Sequence, residues 1–103
     1  MKVKIQSVHF TADQKLVEFI EKKMSKLTTF YDHILDTEVI LDVEDRGGQV
    51  KEKIAKIAIN VPGNKFFVKN ERKTFEEAID ISVEELKKQL TKHKEKVKDH
   101  QAI

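Results

Sequence analysis

The 103-residue chain has no cysteine and no tryptophan, a single proline and three glycines. Lacking cysteine, it has no disulfide, no thiolate nucleophile and no thiolate-held zinc or iron–sulfur centre. No apolar run approaches the roughly 20 residues needed to cross a bilayer. The opening residues, Met1 to Gln6, alternate like a strand and lack the apolar stretch of a secretory signal. These absences imply a cytoplasmic, soluble chain. Enzyme signatures are missing as well. No glycine-rich phosphate loop follows a strand, and Gly47-Gly48 sits in a turn that precedes no helix. Ser7, Ser25 and Ser82 lie outside any nucleophile-elbow setting.

Two groups of metal-capable residues are present, and neither reads as a site. Asp42, Glu44 and Asp45 could cluster, but acidic residues along a strand beside a turn ordinarily form a solvated face. His93 and His100 share a helical face about 10.5 Å apart along the axis, too far for one ion. His9 follows a strand and His33 a helix, and all four histidines read as surface or rim residues. No metal and no cofactor is expected.

What the chain has in abundance is charge. Charged residues make up 37% and hydrophobic residues 39%, enough apolar side chains for one core, so residues 1–103 are read as one domain. The net charge of +2 conceals an uneven distribution. Segments 1–29, 51–73 and 85–103 carry +3, +5 and +3, whereas 30–50 and 74–84 carry −5 and −4. Alternation on this scale can produce separate acidic and basic surfaces.

Periodicity supplies the elements. Val3 and Ile5 alternate with polar neighbours in a first strand near 2–8. Thr11-x-x-Gln14 fits a capping box, and Leu16, Ile20, Leu27 and Tyr31, widened by Val17, Met24 and Phe30, give a helix to about residue 30. Val39, Leu41 and Val43 mark a second strand, and Asp45-Arg46-Gly47-Gly48 a turn. Ala55, Ile57, Ile59 and Val61 mark a third strand, ended by Pro62-Gly63-Asn64. Phe66-Phe67-Val68 suits a short fourth. Thr74-x-x-Glu77 caps a long helix whose stripe is Phe75, Ile79, Val83, Leu86, Leu90 and Val97. The order is β-α-β-β-β-α, an α+β fold with a four-stranded sheet and two helices on one face. If the second strand is parallel to the first and the rest alternate, the helices run near-parallel. At about 25 residues the second helix is roughly 37 Å long, against roughly 33 Å for a compact domain of this size, so its last turns reach or pass the sheet edge.

The lysines carry the functional signal. Lys15, Lys22 and Lys26 fall within about 40° on the first helix. Lys23 lies inside the apolar arc, where its stem can pack while its ammonium reaches water. On the second helix Lys88, Lys92 and Lys96 form one row, and Lys87, Lys94 and Lys98 another on the opposite flank. Phe19, Phe30 and Phe75 fit the helix stripes better than a base-stacking platform, and no RNP-type aromatic sequence is present.

Phe30-Tyr31-Asp32-His33-Ile34 after a lysine-rich helix, then Ala78-Ile79-Asp80 and the run from Leu86 to Lys96, strongly resemble the ribosome hibernation-promoting factors. That family includes ribosome-associated inhibitor A and the sigma-54 modulation proteins. The resemblance covers essentially the whole chain. It implies a layout similar to double-stranded-RNA-binding domains and binding to the small ribosomal subunit, in the mRNA channel over the decoding sites, in stationary phase or starvation. By position it assigns rRNA contacts to Lys23, Lys26, Lys88, Lys92 and Lys94, and it favours a phosphate contact for Lys23. With Lys22, Lys87 and Lys96 from the basic rows, these make the candidate site. Glu85, Thr74 and Glu76 depart from the residues relatives often carry there. With no dimerisation domain and no acidic tail after Ile103, the expectation is the plain short form.

The expected function is therefore a non-enzymatic factor that binds the small subunit and its rRNA and inhibits translation. A second, ribosome-dimerising factor is a further candidate partner, and no membrane or small-molecule substrate is implied. The alternative is a protein-interaction module docking through its projecting basic helix or an open sheet edge.

Overall fold

The structure, a computed structural model, describes the backbone of residues 2–46 and 50–101 and the side chains of residues 3–44 and 52–95. Expectations for Asp45, Gly47, Gly48, Lys96, Val97, Lys98 and His100 as side chains lie outside the described residues. The chain folds as β1 (Lys2–Val8), α1 (Gln14–Phe30), β2 (Asp36–Arg46), β3 (Val50–Val61), β4 (Asn64–Arg72) and α2 (Phe75–Gln101). The strands lie in chain order in one sheet. β1 and β2 are parallel, with Ile5 opposite Val39. β2–β3 and β3–β4 are antiparallel, with Val39 opposite Ile57 and Ile57 opposite Val68.

Those pairings put alternate residues of neighbouring strands on one face, and that face is the core side. Val39, Leu41, Ala55, Ile57, Ile59 and Val68 meet Leu16, Ile20, Met24 and Leu27 of α1 and Ile79, Leu86 and Leu90 of α2. Both helices therefore cover the same face of the sheet. The fourth strand is longer than the apolar triplet implies. It holds nine residues, of which Val68 is buried, Phe66 packs against the core and Phe67 is 55% exposed on the other face.

Contacts between the helices run in the same order along both. The Phe10 ring just before α1 stacks on Phe75 at the start of α2, centroids 4.9 Å apart. Lys23 reaches Asp80 further along, and Phe30 at the end of α1 lies beside Lys87 and Lys88. The helices are thus parallel. α2 has 27 residues, about 40 Å of helix. It runs on past His93, which already lies beside Phe66 near the start of β4. The β2–β3 pairing extends beyond β1 and β4 at the other end, and the long axis of the molecule is 57 Å.

The start of α1 differs from the sequence expectation. Asp13, not Thr11, is the N-cap, and its Oδ1 accepts the Leu16 N–H at 2.8 Å. A carboxylate is the stronger acceptor and is favoured by the positive end of the helix dipole, so it displaces a hydroxyl two residues earlier. Thr74 does cap α2, its hydroxyl accepting the Glu77 N–H at 3.2 Å. Asp13→Ala is expected to destabilise the fold by about 1 kcal/mol, and Thr11→Ala by no more than about 0.5 kcal/mol. Urea melts of the two variants check this assignment.

Candidate nucleic-acid interface

The parallel helices place the lysine-rich parts of α1 and α2 on one side of the molecule, since Lys26 lies between Lys23, paired with Asp80, and Phe30, which borders one concavity with Lys87 and Lys88. Lys22, Lys26, Lys88, Lys92 and Lys94 are all exposed, and none makes an ion pair among the described residues. Their ammonium groups are available to an anionic partner. Phe30, expected in the core stripe, is instead 36% exposed. Its ring borders a concavity of about 490 Å³ with Glu84, Lys87, Lys88, Thr91, Lys92 and Glu95. The stripe turns Phe30 outward because Tyr31 takes the buried position, donating its N–H to the Leu27 carbonyl at 2.7 Å as α1 ends.

Two predicted lysines are already engaged. The Lys23 ammonium is 2.9 Å from Asp80 Oδ1 and lies over the Phe19 ring. It is half-buried and ties α1 to α2. Lys87 lies 3.5 Å from Glu84, one turn earlier on its own helix. The second pair was legible, since i,i+3 residues are neighbours on a helix. The first was not, because its partners are far apart in sequence. The Lys96 side chain falls outside the described residues.

Glu85, one of the departures noted above, has a structural partner. Asn70 of β4 donates from Nδ2 to Glu85 Oε1 at 2.6 Å and to Ser82 Oγ at 2.9 Å. The buried Ser82 hydroxyl in turn donates to the Ala78 carbonyl at 2.7 Å. This network ties α2 to the edge strand, and no periodic signal announces it.

The carboxylates of β2, Glu38, Asp42 and Glu44, alternate with the buried Val39 and Leu41 and so project from the face of the sheet opposite the helices. Among the described residues no group of histidines and carboxylates is placed to hold a metal ion. Asp42 is paired instead: its Oδ1 lies 2.8 Å from His9 Nδ1 and accepts the Val43 N–H at 2.7 Å. His9 has φ 68°, a left-handed conformation that is uncommon for a residue with a side chain, and the Asp42 contact holds it there. The His9 hydrogen bond keeps the Asp42 carboxyl below its usual range; partial burial opposes that shift, and the Val43 N–H and the Lys56 charge reinforce it. A carboxyl depressed in the folded state stabilises the fold above its unfolded value and loses that contribution as pH falls through the folded value. His9→Gly keeps the backbone conformation at little cost and removes the ring. The Asp42 carboxyl is then expected to titrate nearer 3.8, as carboxyl-carbon NMR would record.

Similar proteins agree with this layout. Residues 3–98 match the family described as Sigma 54 modulation protein / S30EA ribosomal protein. The ribosome hibernation promoting factor of Azotobacter vinelandii is 32% identical over 96 residues, 93% of this chain and 85% of that protein. That of Escherichia coli is 30% identical over 100 residues, 97% of this chain and all of that protein. In fold, the chain is similar to a ribosomal subunit interface protein from Coxiella burnetii, with TM-score 0.81 and 21% identity, covering 91% of this chain and 98% of the other. It is also similar to the N-terminal domain of Thermus thermophilus Protein Y, with TM-score 0.79 and 23% identity, covering 90% and 99%. With residues 3–98, nearly the whole chain, matching the family, and a relative 30% identical along its entire length, the chain belongs to the Sigma 54 modulation protein / S30EA ribosomal protein family.

Proposed function

We propose that this chain is a cytoplasmic, non-enzymatic ribosome hibernation factor acting as a single domain. It binds the rRNA of the small subunit in the mRNA and tRNA decoding channel and halts translation under starvation or in stationary phase. The observation that carries this reading is the set of exposed lysines without carboxylate partners among the described residues, Lys22, Lys26, Lys88, Lys92 and Lys94, gathered by the parallel helices. Lysine–phosphate contacts give affinity with little sequence readout. Selectivity then comes from the fit of a 57 × 25 × 18 Å wedge into a channel of structured RNA. The curated relatives named above are ribosome hibernation promoting factors, which supports the same assignment.

Lys23 and Lys87 enter this proposal in a secondary role. Each must exchange a carboxylate for a phosphate before it contributes, so each adds less than an unpaired lysine. The test is sedimentation of starved-cell lysate through sucrose at rising salt. The protein should travel with small-subunit-containing particles at low salt and be released steeply as salt rises. Its absence from every ribosomal fraction, or release insensitive to salt, would overturn the reading in favour of docking on protein.

A further inference from the structure

A second concavity, of about 330 Å³, lies between β4 and α2 and is lined by Asn64, Phe66, Gln89, Lys92 and His93. It is at the small end of ligand sites, and its chemistry is mixed. Phe66 and His93 meet at 74° with centroids 5.5 Å apart, so their rings form a corner. Tyr31 braces His93 from another side at 6.0 Å. The rings are therefore held before any ligand arrives.

The polar groups are incompletely used. Asn64 Oδ1 accepts the Lys65 N–H at 2.8 Å, and its amide N–H groups make no hydrogen bond among the described residues. The Gln89 side chain is half-buried and makes no hydrogen bond among the described residues. Lys92 borders both this concavity and the one at Phe30, so an RNA phosphate held by Lys92 has its base within reach of the aromatic corner.

We propose that this concavity receives one unpaired adenine of the RNA that the lysines hold; this rests on the reading of the chain as an rRNA-binding factor. A flat base stacks on one ring of the corner and meets the other at its edge. A glutamine amide presents one donor and one acceptor side by side, the pattern that pairs with adenine N6 and N7. Uracil and cytosine lack that edge. The base must already be unpaired, because nothing here offsets the cost of extracting it from a duplex.

The probes are short fluorescent RNA oligomers of equal length: oligo-adenine, oligo-uridine and an abasic chain with the same phosphates. The parent should bind oligo-adenine about fivefold or more tighter than the abasic chain, the low end of what one stacked base contributes. Gln89→Met keeps helix propensity and side-chain size but removes the amide. It should reduce the adenine-over-uridine preference about fivefold or more and leave abasic binding unchanged. Equal binding of the three oligomers by the parent, or an adenine preference that survives Gln89→Met, overturns the proposal. Sedimentation of the parent with small subunits, run in parallel, separates the two ideas. Ribosome binding without adenine preference rejects the pocket alone, and loss of ribosome binding rejects the functional reading beneath it.

Discussion

Replacing Lys88 and Lys92 together by Glu is expected to lower ribosome affinity by about two orders of magnitude or more while leaving the melting temperature almost unchanged. Both side chains are exposed on α2 and neither is paired among the described residues, so no packing is lost. Exposed sites of this kind change stability by no more than about 0.5 kcal/mol each. Each lysine that neutralises a phosphate releases condensed counterions. Losing two such contacts should flatten the slope of log affinity against log salt by roughly 2, and the new carboxylates add repulsion. Glu44→Lys, on the acidic strand, should bind as the parent does or slightly better. Lys23→Ala should fall between the two, because it removes the strut to Asp80 more than a phosphate contact. Co-sedimentation at two salt concentrations with a thermal melt of each variant makes the comparison. Double-reversal variants that melt normally and bind like the parent would end the phosphate-contact mechanism.

Leu86→Ala should have the opposite profile. Leu86 is fully buried in the layer between α2 and the sheet, among residues that fill the core side. Truncating a leucine there loses transfer free energy and leaves a cavity that rigid neighbours close only partly, at a cost of about 3 kcal/mol. For a domain near 100 residues that is a fall in melting temperature of more than about 10 °C. The salt dependence of ribosome binding should stay like the parent's wherever the variant is folded, because no phosphate contact is touched. Affinity then falls with the unfolded fraction alone. A Leu86→Ala protein that is stable but has a flattened salt slope would show that the core side chain shapes the RNA contacts directly.

The two variants also separate what the sequence specifies from what it does not. Leu86 and its companions at helical spacing announce α2, its buried face and its length. Val39, Leu41, Ile57 and Ile59, alternating, announce the sheet face that α2 covers. Even the parallel course of the helices follows from the order of elements once the first two strands are parallel. These are properties of one element, or of the connection between two, and periodicity in a single chain records them. The unpaired state of Lys88 and Lys92, by contrast, is a fact about what stands opposite.

Four features were decided by the tertiary structure. Asp80 captures Lys23, Asn70 joins Ser82 and Glu85, and Tyr31 takes the buried place that leaves Phe30 among lysines. His93 comes to rest between Phe66 and Tyr31. Each depends on the sliding register between elements far apart in the chain, and no local spacing encodes that register. Hydrophobic patterning determines which face turns inward, and burial of that face is the dominant favourable term in folding. Which charge meets which, and which ring stays outside, is settled only when packed surfaces lock the helices at one height along the sheet. The sequence by itself therefore determined the fold and the lysine-rich character of its helices. Beyond the local i,i+3 pair of Lys87 with Glu84, the tertiary structure decided which lysines remain free for an anionic partner.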